Sequence, residues 1–316
     1  MRAIDIAAQA LELVATLAAA PLFLGWVNRC RAWLQNRQAP SPWLPYRGLR
    51  KLFHKDAVIA ESASSIFRIA PYIVFGAMVV AAGIIPSMGT RLPFTVAADA
   101  IALVGLLATA RVFLSLAAMD IGTAFGTLGA RREMMVGFLA EPALLMVIFV
   151  ASLISATTAL PAITENLATQ ALGLYPSLAF TAVAFILVLL AENARIPIDN
   201  PATHLELTMI HEATVLEYSA RHLALMEWAA ALKLFNYACI GFALFVPWGV
   251  STGSGGPLAL AASIPLLAVK LTLAGAGLAL IETLSAKLRV FRAPEFLATA
   301  FLFAVLGLLV HLLLGG

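Results

Sequence analysis

Glu192, Arg195 and Asp199 follow directly on an almost purely hydrocarbon run from Ser177 to Leu190, and Glu206, Glu212 and Glu217 come soon after, interleaved with His204 and His211. Carboxylates at the end of an apolar segment suit one kind of chemistry, the uptake and release of protons. The plainer reading is a solvated helix end in which Glu192 makes a surface salt bridge with Arg195. Arg111, Lys233 and Lys270 fall inside other apolar runs. Lys233 lies ten residues into its run, ~15 Å at 1.5 Å per residue. A charge that deep costs about 3 kcal/mol on insertion scales and usually faces a wet cavity or an acid. A structural ion pair between helices is the plainer reading here. A buried lysine can release its proton and an arginine rarely does, so Lys233 and Lys270 are better relay candidates than Arg111.

Other chemistries lack their residues. His211–Glu212 does not continue into a HExxH zinc motif, because Val215 stands at the second ligand position. Cys30 and Cys239 are far apart and belong to no Cys/His set, so no metal or cluster is expected on this chain. Phosphate-binding glycine loops and a nucleophilic triad are absent. Covalent or redox catalysis by this chain alone is not expected.

The elements that must position these residues are membrane helices. The chain is 62% hydrophobic and 12% charged, with mean hydropathy +0.95, against about 25% charge in an ordinary soluble domain. The fold class is therefore an all-α integral membrane protein, a single transmembrane domain over residues 1–316. Eight spans fit: Ile4–Trp26, Ile69–Ser87, Phe94–Met119, Glu141–Leu160, Ser177–Ala194, Leu223–Val246, Pro257–Glu282 and Glu295–Leu314. The first is read as retained rather than as a cleaved signal, since Asp5 and Glu12 interrupt it. Lys and Arg concentrate in the odd-numbered connections, which places those in the cytoplasm and both termini outside. Glu141, Glu192, Asp120, Glu282 and Glu295 then fall at cytoplasmic ends of spans.

The cytoplasmic loops carry the polar sequence. In the first, Leu49, Leu52 and Phe53 alternate with Arg50, Lys51 and Lys55, a basic amphipathic helix that suits anionic headgroups or a docked partner. Tyr46, Arg47, Arg131 and Arg132 extend that docking surface. Gly122, Gly126 and Gly129 predict a flexible or tightly turning start to the third loop. In the fifth, Pro197 and Pro201 end the span and Asp199 or Asn200 can cap a helix over Ala202–Tyr218. Its apolar stripe is Leu205, Met209, Ala213 and Leu216, with His204 and His211 on another face.

LAENARIPIDNP, from Leu190, resembles the AExxRxPxD signature of the subunit 1 family of respiratory complex I. THLELTMIHEATVLEYS, FGTLGARREMMVGFLAEPALL and PYRGLRKLFHKD are similar to its hydrogenase branch, the membrane anchors of formate hydrogenlyase and hydrogenase-4-type complexes, which are group 4 NiFe hydrogenases. The resemblance runs from about Leu11 to Ala300. It implies eight core spans and a peripheral arm held on the cytoplasmic loops. The NiFe centre and the iron–sulfur clusters would sit in partner subunits: a NiFe large subunit and an iron–sulfur small subunit. Antiporter-like membrane subunits and lipids are the other partners implied, and nucleic acid is not. The membrane would be the bacterial inner membrane. Carried onto this chain, Glu192, Arg195 and Asp199 occupy the signature positions, Glu141 follows the third loop, and Glu206, Glu212 and Glu217 fall in the acidic fifth loop. The stretch up to Glu217-Tyr218-Ser219 is longer than in complex I, and Leu44-Pro45 replaces the usual Gln-Pro. Both departures favour the hydrogenase branch over the alternative, the quinone-chamber subunit of an NADH:quinone oxidoreductase. The implied role is to dock the hydrogenase arm and couple electron transfer to proton translocation. Arg195 would tune Glu192, and Lys233 and Lys270 would act as relays.

Overall fold

A computed structural model describes residues 3–90, 93–94, 98–169, 175–199, 209–251, 257–288 and 292–314. Among them the chain is helical, apart from connections and two isolated bridges, Gly89 with Ser251 and Asp99 with Ala159. The helices are α1 (Ala3–Leu34), α2 (Leu44–Phe53), α3 (Ser65–Ile84), α4 (Ala100–Asp120), α5 (Ala124–Ser155), α6 (Leu160–Thr169), α7 (Pro176–Glu192), α8 (His211–Val215), α9 (Ala220–Phe245), α10 (Pro257–Leu284) and α11 (Ala293–Leu314).

Seven of these, α1, α3, α4, α5, α9, α10 and α11, are long and apolar enough to cross a membrane. The remaining expected span, α7, has only 17 residues, or ~26 Å at 1.5 Å per residue. That falls short of a hydrocarbon core of ~30 Å. Local signals start the helices where they start. The Ser64 hydroxyl accepts from Ile66 N at 3.1 Å, Asp99 from Ile101 N at 2.9 Å, and Thr123 from Gly126 N at 3.3 Å. Each satisfies an amide that the first turn leaves unpaired. Pro176 opens α7, where its fixed φ suits a helix and no amide is missed.

α9 is the axis of the bundle. It packs on α1, α3, α6 and α7, while α3–α4–α5–α7–α11 form a continuous layered wall and α10 leans on α1. Apolar side chains such as Phe235, Tyr237, Leu232 and Met78 fill the centre. α2 lies across the end of the bundle that carries the long basic connections. Its Phe53 ring meets Trp228 of α9 edge-on at 6.4 Å, and Tyr46 donates to the carbonyl of Ala18 in α1. Its apolar side meets protein only in part, with Leu44 and Phe53 still exposed, and Arg47, Arg50 and Lys51 are exposed too.

Two expectations need correction. The fourth span does not begin at Glu141. Thr123 caps a helix that runs on from Ala124, so Gly126 and Gly129 are helical rather than flexible. Their role is close approach: a Cβ on Gly129 would come within 2.8 Å of the Ala213 Cβ. Bare backbone at Gly129 lets α8 lie directly on α5. Of the fifth-loop helix expected over Ala202–Tyr218, the described part is helical only over His211–Val215. Residues 200–208 lie outside the described residues, and α8 ends at Val215, leaving Leu216 exposed. The connection α6 was not foreseen.

Candidate proton-coupling site

Arg111 stands on α4 nine residues before Asp120, ~14 Å along the axis from the end that meets the basic loops. It is 6% exposed. Its Nη1 is 2.7 Å from Glu141 Oε1, its Nε 3.7 Å from Glu133 Oε1, and its Nη2 is paired with Glu192. Lys233 Nζ of α9 lies 3.0 Å from the same Glu192 oxygen. The Tyr237 hydroxyl, one turn along α9, hydrogen-bonds Glu192. Three carboxylates and two cations are therefore gathered from α4, α5, α7 and α9.

The helices explain why they meet. Glu133, Gly137 and Glu141 recur every four residues on α5 and share one face. Gly137 supplies the space: a Cβ there would come within 2.1 Å of Arg111 Nη1. Gly137→Ala is accordingly expected to displace the guanidinium and cost about 1–3 kcal/mol, as overpacking does. Reversible unfolding in mixed micelles checks this, and wild-type stability in that variant would count against the fit described.

Beside this cluster lies a cavity of about 260 Å³. Asp199, His211 and Glu212 line it toward the loops, and Arg111, Glu192 and Lys233 line it within the bundle. A second charged group closes its edge. Glu282 of α10, 2% exposed, sits 3.3 Å from Arg195 Nη1 and 3.5 Å from Arg31 Nη1 of α1. Burial, chiefly, pulls the Arg195 guanidinium down in pKa, Arg31 adds to this, and Glu282 holds it up.

Arg195 is therefore not the partner of Glu192, against the expectation that it tunes that acid. The backbone gives the reason. α7 ends at Glu192, Asn193 caps it, and Ala194 at φ 49° turns the chain into the left-handed region. The next side chain, Arg195, then points to α10. Arg111, ranked lowest of the three deep cations, is the hub. Lys270 stands apart from the cluster, its Nζ donating to the carbonyl of Val246 at 2.6 Å and 5.8 Å from the Phe242 ring centre.

Asp199 does cap a helix, though not the one expected. Its Oδ2 accepts from Ile210 N at 3.2 Å and His211 N at 3.1 Å, closing the loop onto the start of α8. Burial lowers the pKa of Lys287 nearby, and Asp199 offsets part of this. Glu212 is half-buried at the cavity, Glu217 is exposed and away from it, and Glu206 lies outside the described residues. On the docking side, Arg47, Arg50, Lys51, Lys55 and Arg131 are exposed. Tyr46 and Arg132 are half-buried, and Arg132 donates to Met209 O at 2.9 Å. Sequence reasoning gave no role at the site to Glu133, Tyr237, Glu282 or Arg31. The cap at Thr123 was the signal that could have placed Glu133 and Glu141 on one helix. Among the described residues no group of three or more His, Cys, Asp or Glu is arranged to hold a metal ion.

Comparison with known proteins gives concordant results. The sequence model of the NADH dehydrogenase family matches residues 7–313. Formate hydrogenlyase subunit 4 of Escherichia coli K12 is 31% identical over 297 residues, 94% of this chain and 95% of that protein. Hydrogenase-4 component C of the same strain is 35% identical over 242 residues, 75% and 74% of the two chains. A chain in the solved structure of the membrane-bound sulfane sulfur reductase, an archaeal respiratory membrane complex, superposes with TM-score 0.82 at 20% identity. It covers 96% of this chain and 98% of that one. That likeness is one of fold.

Proposed function

Since this chain belongs to the NADH dehydrogenase family, we propose that it is the membrane-anchoring subunit of a NiFe hydrogenase of the formate hydrogenlyase or hydrogenase-4 type. The observation that carries this reading is the near full-length match to formate hydrogenlyase subunit 4. The chain docks a peripheral arm made of a NiFe large subunit and an iron–sulfur small subunit. It adjoins antiporter-like subunits in a bacterial inner membrane. The redox groups belong to those partners and supply electron transfer and hydrogen chemistry there. The two curated relatives favour this over the quinone-chamber alternative.

This chain contributes charge and position. The exposed basic face of α2, with Arg131, offers a docking surface to acidic groups on the arm. The Arg111–Glu192–Lys233 cluster handles protons at the inner end of the cavity. Glu192 holds a proton-accepting carboxylate between two cations, and Glu141, partly exposed, is its outlet toward the neighbouring membrane subunit. Lys233 can give up a proton to Glu192 at 3.0 Å, whereas Arg111 holds its charge and keeps the acids in place. Asp199, Arg195 and Glu282 fix the loop between arm and cluster, so a shift of the arm can reach Glu192 through the Asn193–Asp199 turn.

Extraction in mild detergent with mass spectrometry of what co-purifies tests the reading. A NiFe large subunit with an iron–sulfur small subunit, and hydrogen evolution from reduced methyl viologen, are expected. NADH-oxidising subunits and a quinone in their place would move the chain to the alternative. The docking face is checked separately: Arg47, Arg50 and Lys51 all changed to Glu should weaken retention of the arm by roughly tenfold, with the effect shrinking in high salt.

A further inference from the structure

A second ionisable group is buried at the end of the bundle opposite the basic loops. Glu12 of α1 is 2% exposed. Its Oε1 accepts from Ser87 Oγ at 2.5 Å and Met88 N at 3.0 Å, just beyond the end of α3. Ser87 in turn lines a small cavity with Cys239 of α9 and Ser263 and Lys270 of α10. That cavity is about 10 Å³, near the least space that holds one water, and its walls offer the polar partners a water needs. Ionisable side chains at membrane depth are costly and mark ion or proton paths by default. Neither Glu12 nor Lys270 has a part in the Arg111 cluster.

α9 connects the two sites. Lys233 enters the Arg111 cluster, and Cys239, six residues on, borders the outer cavity, ~9 Å away along the axis. Asn236 lies between them, 1% exposed, donating to Met78 O at 3.0 Å. On α1, Thr16 is one turn from Glu12 toward the cluster, 1% exposed, and its hydroxyl has no hydrogen-bond partner among the described residues. Such a hydroxyl can donate and accept in turn.

We propose that Glu12, bridged through Ser87 and one water to Lys270, is the outer protonation site of this chain, joined to the Arg111–Glu192–Lys233 cluster past Thr16 and Asn236. Protons then cross this subunit itself, in addition to leaving it sideways by Glu141. This rests on the coupling role assigned to Glu192. The step moves one proton along a relay: Glu12 Oε releases its proton to Ser87 Oγ as Ser87 passes its own to the water and the water passes one to the neutral Lys270 amine, and the reverse.

The test uses the whole complex in proteoliposomes. Hydrogen evolution from reduced methyl viologen is followed together with internal pH by a fluorescent amine, for wild type, Glu12→Gln, Glu12→Asp, Lys270→Gln and Glu192→Gln. Glu12→Gln and Lys270→Gln are each expected to lower proton movement per hydrogen by the share that crosses this subunit and to leave the share that exits by Glu141, with subunit composition and hydrogen evolution retained. Glu12→Asp should restore part of it, and Glu12→Gln with Lys270→Gln should be no worse than either alone. If Glu192→Gln lowers proton movement and neither outer variant does, the outer site is refuted and the coupling role stands. If none of them lowers it, both fall. Should Glu12→Gln fail to assemble, Lys270→Gln decides the matter by the same criteria.

Discussion

Arg111→Met is expected to destabilise the chain by about 3–5 kcal/mol, the cost of removing one partner from a buried ion pair. The physical reason is that three carboxylates, from Glu133, Glu141 and Glu192, converge on this one guanidinium. Two of them, Glu133 and Glu192, are buried, so solvent compensates poorly for the lost partner. Arg111→Lys should fall between the variant and wild type. An ammonium keeps the charge but cannot reach three acids in a plane as the guanidinium does. The double change Arg111→Met with Glu192→Gln should recover part of the loss, because the most buried charge goes with its partner. Unfolding of the purified chain in mixed micelles gives the ranking. A methionine variant as stable as wild type would mean that the cluster does not bind these helices together.

Glu192→Gln is expected to leave the complex assembled and to reduce proton movement per hydrogen by about 10²-fold or more, the range that a positioned proton-transfer group contributes. Glutamine keeps the shape and can still accept from Arg111, Lys233 and Tyr237. It cannot carry the proton. Loss of stability and loss of coupling therefore separate: the arginine change strikes the first, the glutamine change the second. Hydrogen evolution from an artificial donor should continue in the Glu192 variant, since electrons reach the arm without passing through this chain. An assembled complex with wild-type proton movement would remove Glu192 from the path.

These contrasts bear on what the sequence could reveal. The spans were legible because apolar runs of about 20 residues have few alternatives, and α3, α9, α10 and α11 begin and end close to where those runs do. The start of α5 was not, because Gly126 and Gly129 read as breakers when only their own conformational freedom is weighed. What decides their role is the element packed against them, α8, and that is a tertiary fact. Lys233 was expected to have an acidic partner or a wet cavity; it lies 3.0 Å from Glu192 and lines the cavity of the cluster. Arg195 was assigned to Glu192 on proximity in sequence, yet its partner Glu282 is 87 residues away, and the turn at Ala194 that redirects it leaves no mark in residue type. Arg111 was set aside because arginine holds its proton. That same property is why it can hold three acids at once.

The shortness of α7 has a further effect on the charge that Arg111 and Lys233 meet. A helix carries the equivalent of about half a negative charge at its C-terminal end, on carbonyls without intrahelical partners. α7 is too short to bring that end out to the surface, and Glu192 is its last residue. The negative pole of the macrodipole is therefore held inside the bundle beside the same two cations. When Glu192 takes up a proton, the cations keep this fixed counter-charge. In the proposed coupling role, the neutral state of the acid is then less costly than a count of side-chain charges implies, which favours proton exchange with Arg111 and Lys233 kept in place.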